Sequence, residues 1–241
     1  MKLAVMQPYF LPYIGYFQMF HAADRYVIYD DCNFIKGGWI NRNRILCGDE
    51  VQYIRLLLQG ASPNKKINEV GCLRDPVARE KSLRTVAHAY GKAPYFERGY
   101  RLLEEIYASD EENLARFLRR SIELTLERLE VEIPLCFASD YPAPELHGTD
   151  RLFDLCEKLG ADTYLNAIGG RALYREEDFT ARGIKLGFLQ TGDVRYDQGR
   201  EPFEPNLSIL DLLMRCSLEE LRAHLRNYEI ISADGTVWPR D

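Results

Sequence analysis

The first thirty residues constrain this chain more than any other stretch. Leu3-Ala4-Val5-Met6 is a short apolar run that ends at Gln7-Pro8, and a proline there stops a strand because it has no N–H to give the ladder. Pro12 to Ala23 carries Tyr13, Tyr16, Phe17 and Phe20 at helical spacing, with its proline in the first turn, where it is tolerated. Arg25-Tyr26-Val27-Ile28-Tyr29 is β-branched and aromatic again and runs into Asp30-Asp31. Strand, helix, strand at this spacing is a β-α-β opening.

The rest follows the same grammar around a helical middle. A polar, glycine-containing loop spans Asn33 to Arg44, Val51 to Leu58 reads as a strand, and Gly60 to Lys66 as a loop. Pro76 to Tyr90 reads as one helix. Asp110 to Glu130 reads as another, with Leu114, Phe117, Leu118, Ile122, Thr125, Leu126 and Leu129 on one stripe and Ser109 placed to cap it. Thr149 is placed to cap a helix that ends at Gly160. A strand over Asp162 to Ala167 then meets Ile168-Gly169-Gly170. Arg175 to Gly183 reads as helix and Ile184 to Leu189 as strand. After a polar loop from Gln190 to Pro205, Leu207 to Asp211 leads into two amphipathic helical segments that close near Asn227. The expectation is α/β: a Rossmann-like parallel sheet core in one domain over residues 1–241, with a helical insertion at about 76–133.

Composition narrows the function classes. With 31 Lys+Arg against 37 Asp+Glu, the net charge of -6 argues against a DNA binder. No apolar run approaches the roughly 18 residues of a membrane span, and Met-Lys followed by four apolar residues is too short for a signal peptide. The expected location is the cytoplasm. The six cysteines stand 15 or more residues apart without a C-x-x-C pair, and no two of the four histidines are spaced i, i+4. That pattern predicts reduced core thiols and no metal site.

Three segments carry residue types suited to ligand chemistry. The turn after the first strand offers Gln7, Pro8, Tyr13, Gly15 and Tyr16. Ligands of open α/β sheets bind beyond the carboxyl ends of strands, helix N-termini attract anions, and Gly15 would let a ligand approach the backbone. The run from Asp30 to Arg44 holds Asp30 and Asp31 as acid/base candidates. It also holds Lys36, Gly37, Gly38, Asn41, Arg42 and Arg44 as a phosphate-binding loop and Trp39 as a stacking surface. Asn166, Gly169 and Gly170 would floor the same cleft, and His147 is a third acid/base candidate.

These segments resemble known families at two levels. Tyr13-Ile14-Gly15-Tyr16 stands where pantothenate synthetase and related class I synthetase-like nucleotidyltransferases have His-x-Gly-His, with tyrosine at both histidine positions. More broadly, the chain resembles the WbqC-like family of bacterial proteins. The resemblance rests on Met6 to Phe17, Asp30-Asp31, Phe34 to Arg44, Tyr90 to Phe96, Asp162 to Asn166 with Gly169-Gly170, and Pro205 to Asp211. It implies a role beside enzymes that make O-antigen and other surface polysaccharides, and assigns no catalytic residues.

The expected function is therefore a transferase that moves an acyl or aminoacyl group to a nucleotide-linked amino sugar or related activated small molecule. Its substrate would be phosphate-containing, and biosynthetic proteins would be its partners. One alternative is a nucleotidyltransferase using a nucleotide with magnesium held by Asp30 and Asp31. Another is a non-catalytic scaffold or binding protein of a biosynthetic complex.

Overall fold

The computed structural model describes residues 1–239. The opening folds as its pattern dictates: strand β1 (Lys2–Met6), helix α1 (Ile14–Ala22) and strand β2 (Arg25–Ile28), with β1 and β2 parallel and Val5 opposite Val27. Four more strands complete the central sheet: β7 (Leu135–Phe137), β8 (Thr163–Ala167), β9 (Lys185–Thr191) and β10 (Tyr228–Ile231). Their order is β10-β9-β8-β1-β2-β7, parallel throughout except for the antiparallel edge strand β10. This is a Rossmann-like α/β sheet. The chain runs outward from β1 through β2 to β7, then crosses back to β8 on the other side of β1 and continues to β9. The gap between the carboxyl ends of β1 and β8 is thus the topological switch point, where open α/β sheets bind ligands.

Helices cover both faces because side chains alternate along each strand. Ala4, Leu165 and Leu189 face α1, while Leu3, Val5, Val27, Tyr164, Leu186 and Phe188 face α5 (Gly148–Leu159) and α6 (Glu176–Thr180). Every residue of α1 from Ile14 to Phe20 is buried, as suits a helix that is apolar all round. Its one amide, Gln18, donates to the carbonyls of His224 at 2.7 Å and Asn227 at 3.0 Å. Those carbonyls belong to the end of α8 (Leu218–Arg226), which follows α7 (Ile209–Arg215). Gln18 therefore meets a need that every helix terminus has.

Between β2 and β7 lie a hairpin, β3 (Arg42–Cys47) with β4 (Glu50–Arg55), a short ribbon, β5 (Leu58–Gln59) with β6 (Gly71–Cys72), and helices α2 (Pro76–Tyr90), α3 (Phe96–Tyr107) and α4 (Leu114–Leu129). All seven stripe residues of α4 are buried, each Leu or Phe contributing roughly 1.5–3 kcal/mol. They join the same apolar cluster as α1.

Several local expectations are corrected. The last residues of the Asn33 to Arg44 loop, Arg42 onward, are strand. The α4 helix starts four residues later than Asp110, and its cap is the Asn113 side chain, which accepts from Arg116 N; Ser109 instead accepts from Glu111 N. Thr149 lies inside α5, whose N-cap His147 makes no side-chain cap bond. No start signal marks α3, since Tyr95 at its N-cap supplies no cap either. The edge strand β10 is only four residues long and is missed by the sequence pattern; the Trp238 backbone N–H donates to Ile230 O on it at 2.8 Å.

Candidate functional site

The loop after β1 is held in place by segments far away in sequence. Phe10 N donates to Trp39 O at 3.2 Å, and Asn43 Nδ2 donates to Phe10 O at 3.1 Å. From the start of α7, Ser208 Oγ donates to Leu11 O at 2.9 Å, and Ile209 N donates to Pro12 O at the same distance. Leu11 has φ of 45°, a left-handed conformation that a leucine adopts at a cost of about 1–3 kcal/mol. The surrounding bonds hold it there, directly ahead of the α1 N-terminus.

These segments and the ends of β8 and β9 enclose a cleft of about 500 Å³. Tyr9, Pro12 and Tyr13 come from the first loop. Trp39, Asn43 and Arg44 form a second wall, Ile168 and Leu189 to Gly192 a third, and Asn206 closes the rim. The cleft opens at the carboxyl ends of the strands, beside the switch point.

Of the sequence candidates, the structure brings Tyr13, Trp39 and Arg44 to this cleft. The Arg44 guanidinium sits 6.0 Å from the Trp39 ring centre and donates to Glu204 Oε1 at 2.9 Å and Pro205 O at 2.8 Å. Arg44, ion-paired with Glu204, thereby fixes one wall of the cleft. Burial raises the Tyr9 and Tyr13 hydroxyls above the usual phenol value of 10.0, so both remain donors at neutral pH.

The remaining candidates serve elsewhere. Tyr16 is 1% exposed, packs among Phe17, Phe20 and Tyr26, and donates to Gln7 O at 2.9 Å. Its ring faces no ligand. Gly15 is needed for packing rather than for a ligand's approach: a Cβ there would lie 2.4 Å from the Tyr13 ring and 2.6 Å from Thr191 Oγ1. Pro8 is buried, and Gln7 donates to Cys32 Sγ at 3.3 Å. Arg42 donates to the carbonyls of Gly37 and Gly38, which spends its guanidinium on the glycine loop. Asn41 donates to Leu56 O, and Lys36 is exposed outside the cleft lining. Asn166 turns to the opposite sheet face, donating to the Tyr164 and Tyr174 hydroxyls. A Cβ on Gly170 would press on this amide at 3.2 Å, while Gly169 is exposed.

The two aspartates are built into the fold. Asp30 is 2% exposed and accepts from Ser139 N at 3.0 Å, Ser139 Oγ at 2.6 Å and Asn68 Nδ2 at 3.0 Å. Asp31 pairs with Arg151 at 2.9 Å. With protein donors on both, the pair does not fit a magnesium site, and no cluster of three or more His, Cys, Asp or Glu suited to a metal occurs among the described residues. His147 is exposed and makes no side-chain hydrogen bond among the described residues.

Sequence reasoning misses Tyr9, Pro12, Asn43, Ile168, Asn206 and the end of β9 from Leu189 to Gly192. The last has a usable signal, because the end of β9 neighbours the end of β8 at the carboxyl edge. Asn43 and Asn206 are single polar residues in polar stretches and carry none.

A model of the WbqC-like protein family matches residues 7–223, from the first residue after β1 into α8. The matched span includes every residue that lines the cleft. A protein of Mycobacterium tuberculosis (strain ATCC 25618 / H37Rv), "Uncharacterized protein Rv1507c", is 30% identical over 222 residues, which is 90% of this chain and 95% of that protein. No solved structure matches. No described helix is long and apolar enough to cross a membrane. With the first-loop motif, the hairpin and the α7 segment all inside the match, the chain belongs to the WbqC-like protein family.

Proposed function

We propose that the protein binds a nucleotide-linked amino sugar, or a comparably built small molecule with a flat ring and a negative charge, in the carboxyl-edge cleft. It acts on that molecule as a transferase in a biosynthetic pathway such as that of a surface polysaccharide. The observation that supports this reading is the convergence of Trp39 and Arg44 with Tyr13 around one cleft beside the switch point. An aromatic face stacks on a base for about 1–3 kcal/mol, the Arg44 guanidinium can exchange its Glu204 partner for a phosphate, and the amides of Gln190 and Asn206 can set orientation.

The cleft lining contains no carboxylate, imidazole, thiol or lysine. A transfer here would use a donor that is already activated, and the protein's contribution would be to hold donor and acceptor in reach of one another. The same lining supports a second reading, a binding protein that performs no chemistry. Titration calorimetry with UDP-N-acetylglucosamine and with UDP tests the shared part. Saturable binding is expected, weakened about tenfold by Trp39→Ala, a change of about 1.4 kcal/mol. Absence of binding by the wild type would sink both readings. Product formation from an activated acyl donor then separates the transferase from the binding protein.

A further inference from the structure

We propose that the surface beside the cleft, on the Trp39 side, docks an acidic carrier protein that brings the group to be transferred. The proposal rests on the transferase reading for its purpose, but the docking surface is argued from charge. In this chain of net charge -6, arginines of the helical segment are largely neutralised within it. Arg84 pairs with Glu80, Arg101 with Glu97, Arg119 with Glu123, Arg120 with Glu127 and Arg128 with Glu105. Lys36, Arg55, Lys65 and Lys66 form no such ion pair among the described residues. Lys36, Arg55 and Lys65 are exposed.

These cations stand on adjoining segments. Phe34 N donates to Lys65 O at 2.8 Å, and Asn33 bridges to Lys66, which sets the Lys36 loop beside the two lysines. Arg42 ties that loop to the hairpin through Gly37 and Gly38, and stands opposite Arg55 in the β3–β4 register. The guanidinium groups of Arg42 and Arg55 lie 4.8 and 5.4 Å from the Tyr53 ring centre. At the middle, Ile35 is 52% exposed. Three residues beyond Lys36 the same loop reaches Trp39 in the cleft.

An apolar anchor inside unpaired positive charge fits an acidic protein surface, where charge steers the encounter and a buried side chain holds it. A nucleic acid would also be attracted by the charge, but would need free ring faces on which to stack bases. Here Tyr53 is already engaged by two arginines, and Trp39 is part of the cleft lining. The observations favour the protein partner.

The test uses the full chain and a purified, fluorescently labelled holo-acyl carrier protein, read by anisotropy at about 50 and about 200 mM salt, which spans a large change in screening. Saturable binding that weakens with salt is expected. The triple variant Lys36→Glu, Arg55→Glu, Lys65→Glu should bind at least about tenfold more weakly, while keeping its circular dichroism and its UDP-N-acetylglucosamine affinity. Lys36→Arg with Lys65→Arg should bind as the wild type does. No binding by the wild type, or equal binding by the triple variant, would overturn the proposal. So would transfer RNA binding to the same surface in place of the carrier. Trp39→Ala should weaken the sugar nucleotide and leave the carrier bound, so failure of the cleft and failure of the dock give different results.

Discussion

Asp31 and Arg151 form an ion pair of 2.9 Å that ties the end of β2 to the first turns of α5. Arg151 is 1% exposed and also donates to Asp154 at 2.6 Å and to the Ala138 carbonyl at 2.6 Å. One cation thus answers two acids and a carbonyl at the edge of the sheet. The second oxygen of Asp31, Oδ1, is buried without a partner among the described residues. Charge this deep is stable only as a group, because each member is the other's replacement for water.

Removing the cation should therefore be severe. Arg151→Met leaves Asp31 uncompensated, while Asp154 keeps Lys158 at 2.8 Å, and is expected to cost about 3–5 kcal/mol in urea unfolding. Asp31→Asn should lower stability as well. A free catalytic base would behave otherwise, with activity lost and the unfolding midpoint unmoved, and that result would return Asp31 to the list of catalytic candidates.

Gly15 links the packing of the first loop to the cleft. Any Cβ there collides with the Tyr13 ring and Thr191 Oγ1, at 2.4 and 2.6 Å, and both of those residues line the cleft. Gly15→Ala should cost about 1–3 kcal/mol, the usual range for overpacking, and should weaken UDP-N-acetylglucosamine binding because Tyr13 must swing away. Wild-type affinity in a Gly15→Ala protein of reduced stability would show that the ligand does not use this end of the cleft.

Four strands of the sheet, β1, β2, β8 and β9, were legible in the sequence because burial writes directly into residue type, whereas the short β7 and the edge strand β10 were not. Ala4, Val5, Val27, Leu165 and Leu186 lie in the core and leave apolar runs, and the alternation of strand and helix implies their parallel order. The candidate site was legible only in part. Trp39 and Arg44 stand out because a glycine loop with cations is unusual in an acidic chain. What the pattern could not give is which partner each side chain takes. Asp30, Arg42 and Tyr16 have the chemistry of a ligand site, yet Ser139, Gly38 and Gln7 are nearer than any ligand. Those contacts join residues as much as 109 positions apart, and local periodicity does not reach that far.

Two histidines give stability a dependence on pH. Burial lowers His21 and His224 below the ordinary value of 6.5, with Arg226 adding to the effect on His21 and Glu220 opposing it on His224. Because the folded state then binds protons less readily than the unfolded chain, the contribution is complete above about 6.5 and is lost as pH falls through the lowered folded values. Urea midpoints should be flat between about pH 7 and 8, below the range where the raised cysteine thiols ionise in the unfolded chain, and decline below neutral pH. His224→Gln should flatten the decline. Glu220, held below 4.5 by Ser217, adds its own loss only in the more acidic range, so the two effects separate along the pH axis. An unchanged midpoint between pH 7 and the acid limit of Glu220 would count against the lowered values of both histidines.

Cys32 lies beside the two aspartates at the end of β2, where a reactive thiol would suggest covalent chemistry. Its surroundings argue the reverse. Burial, with Asp31 adding to it, pushes the thiol up to about 12, and the Gln7 amide only partly offsets this. At pH 8 such a thiol is roughly one part in ten thousand thiolate, against about a quarter for a free cysteine, so alkylation should slow by about a thousandfold. Timed iodoacetamide labelling, read by peptide mass spectrometry in buffer and in urea, measures the ratio for Cys32 directly. Cys156, raised to about 12 by burial alone, serves as an internal comparison. Slow labelling of both would mark Cys32 as packing. Fast labelling of Cys32 alone would mean that its thiolate is stabilised locally, and would place a nucleophile at the carboxyl end of β2.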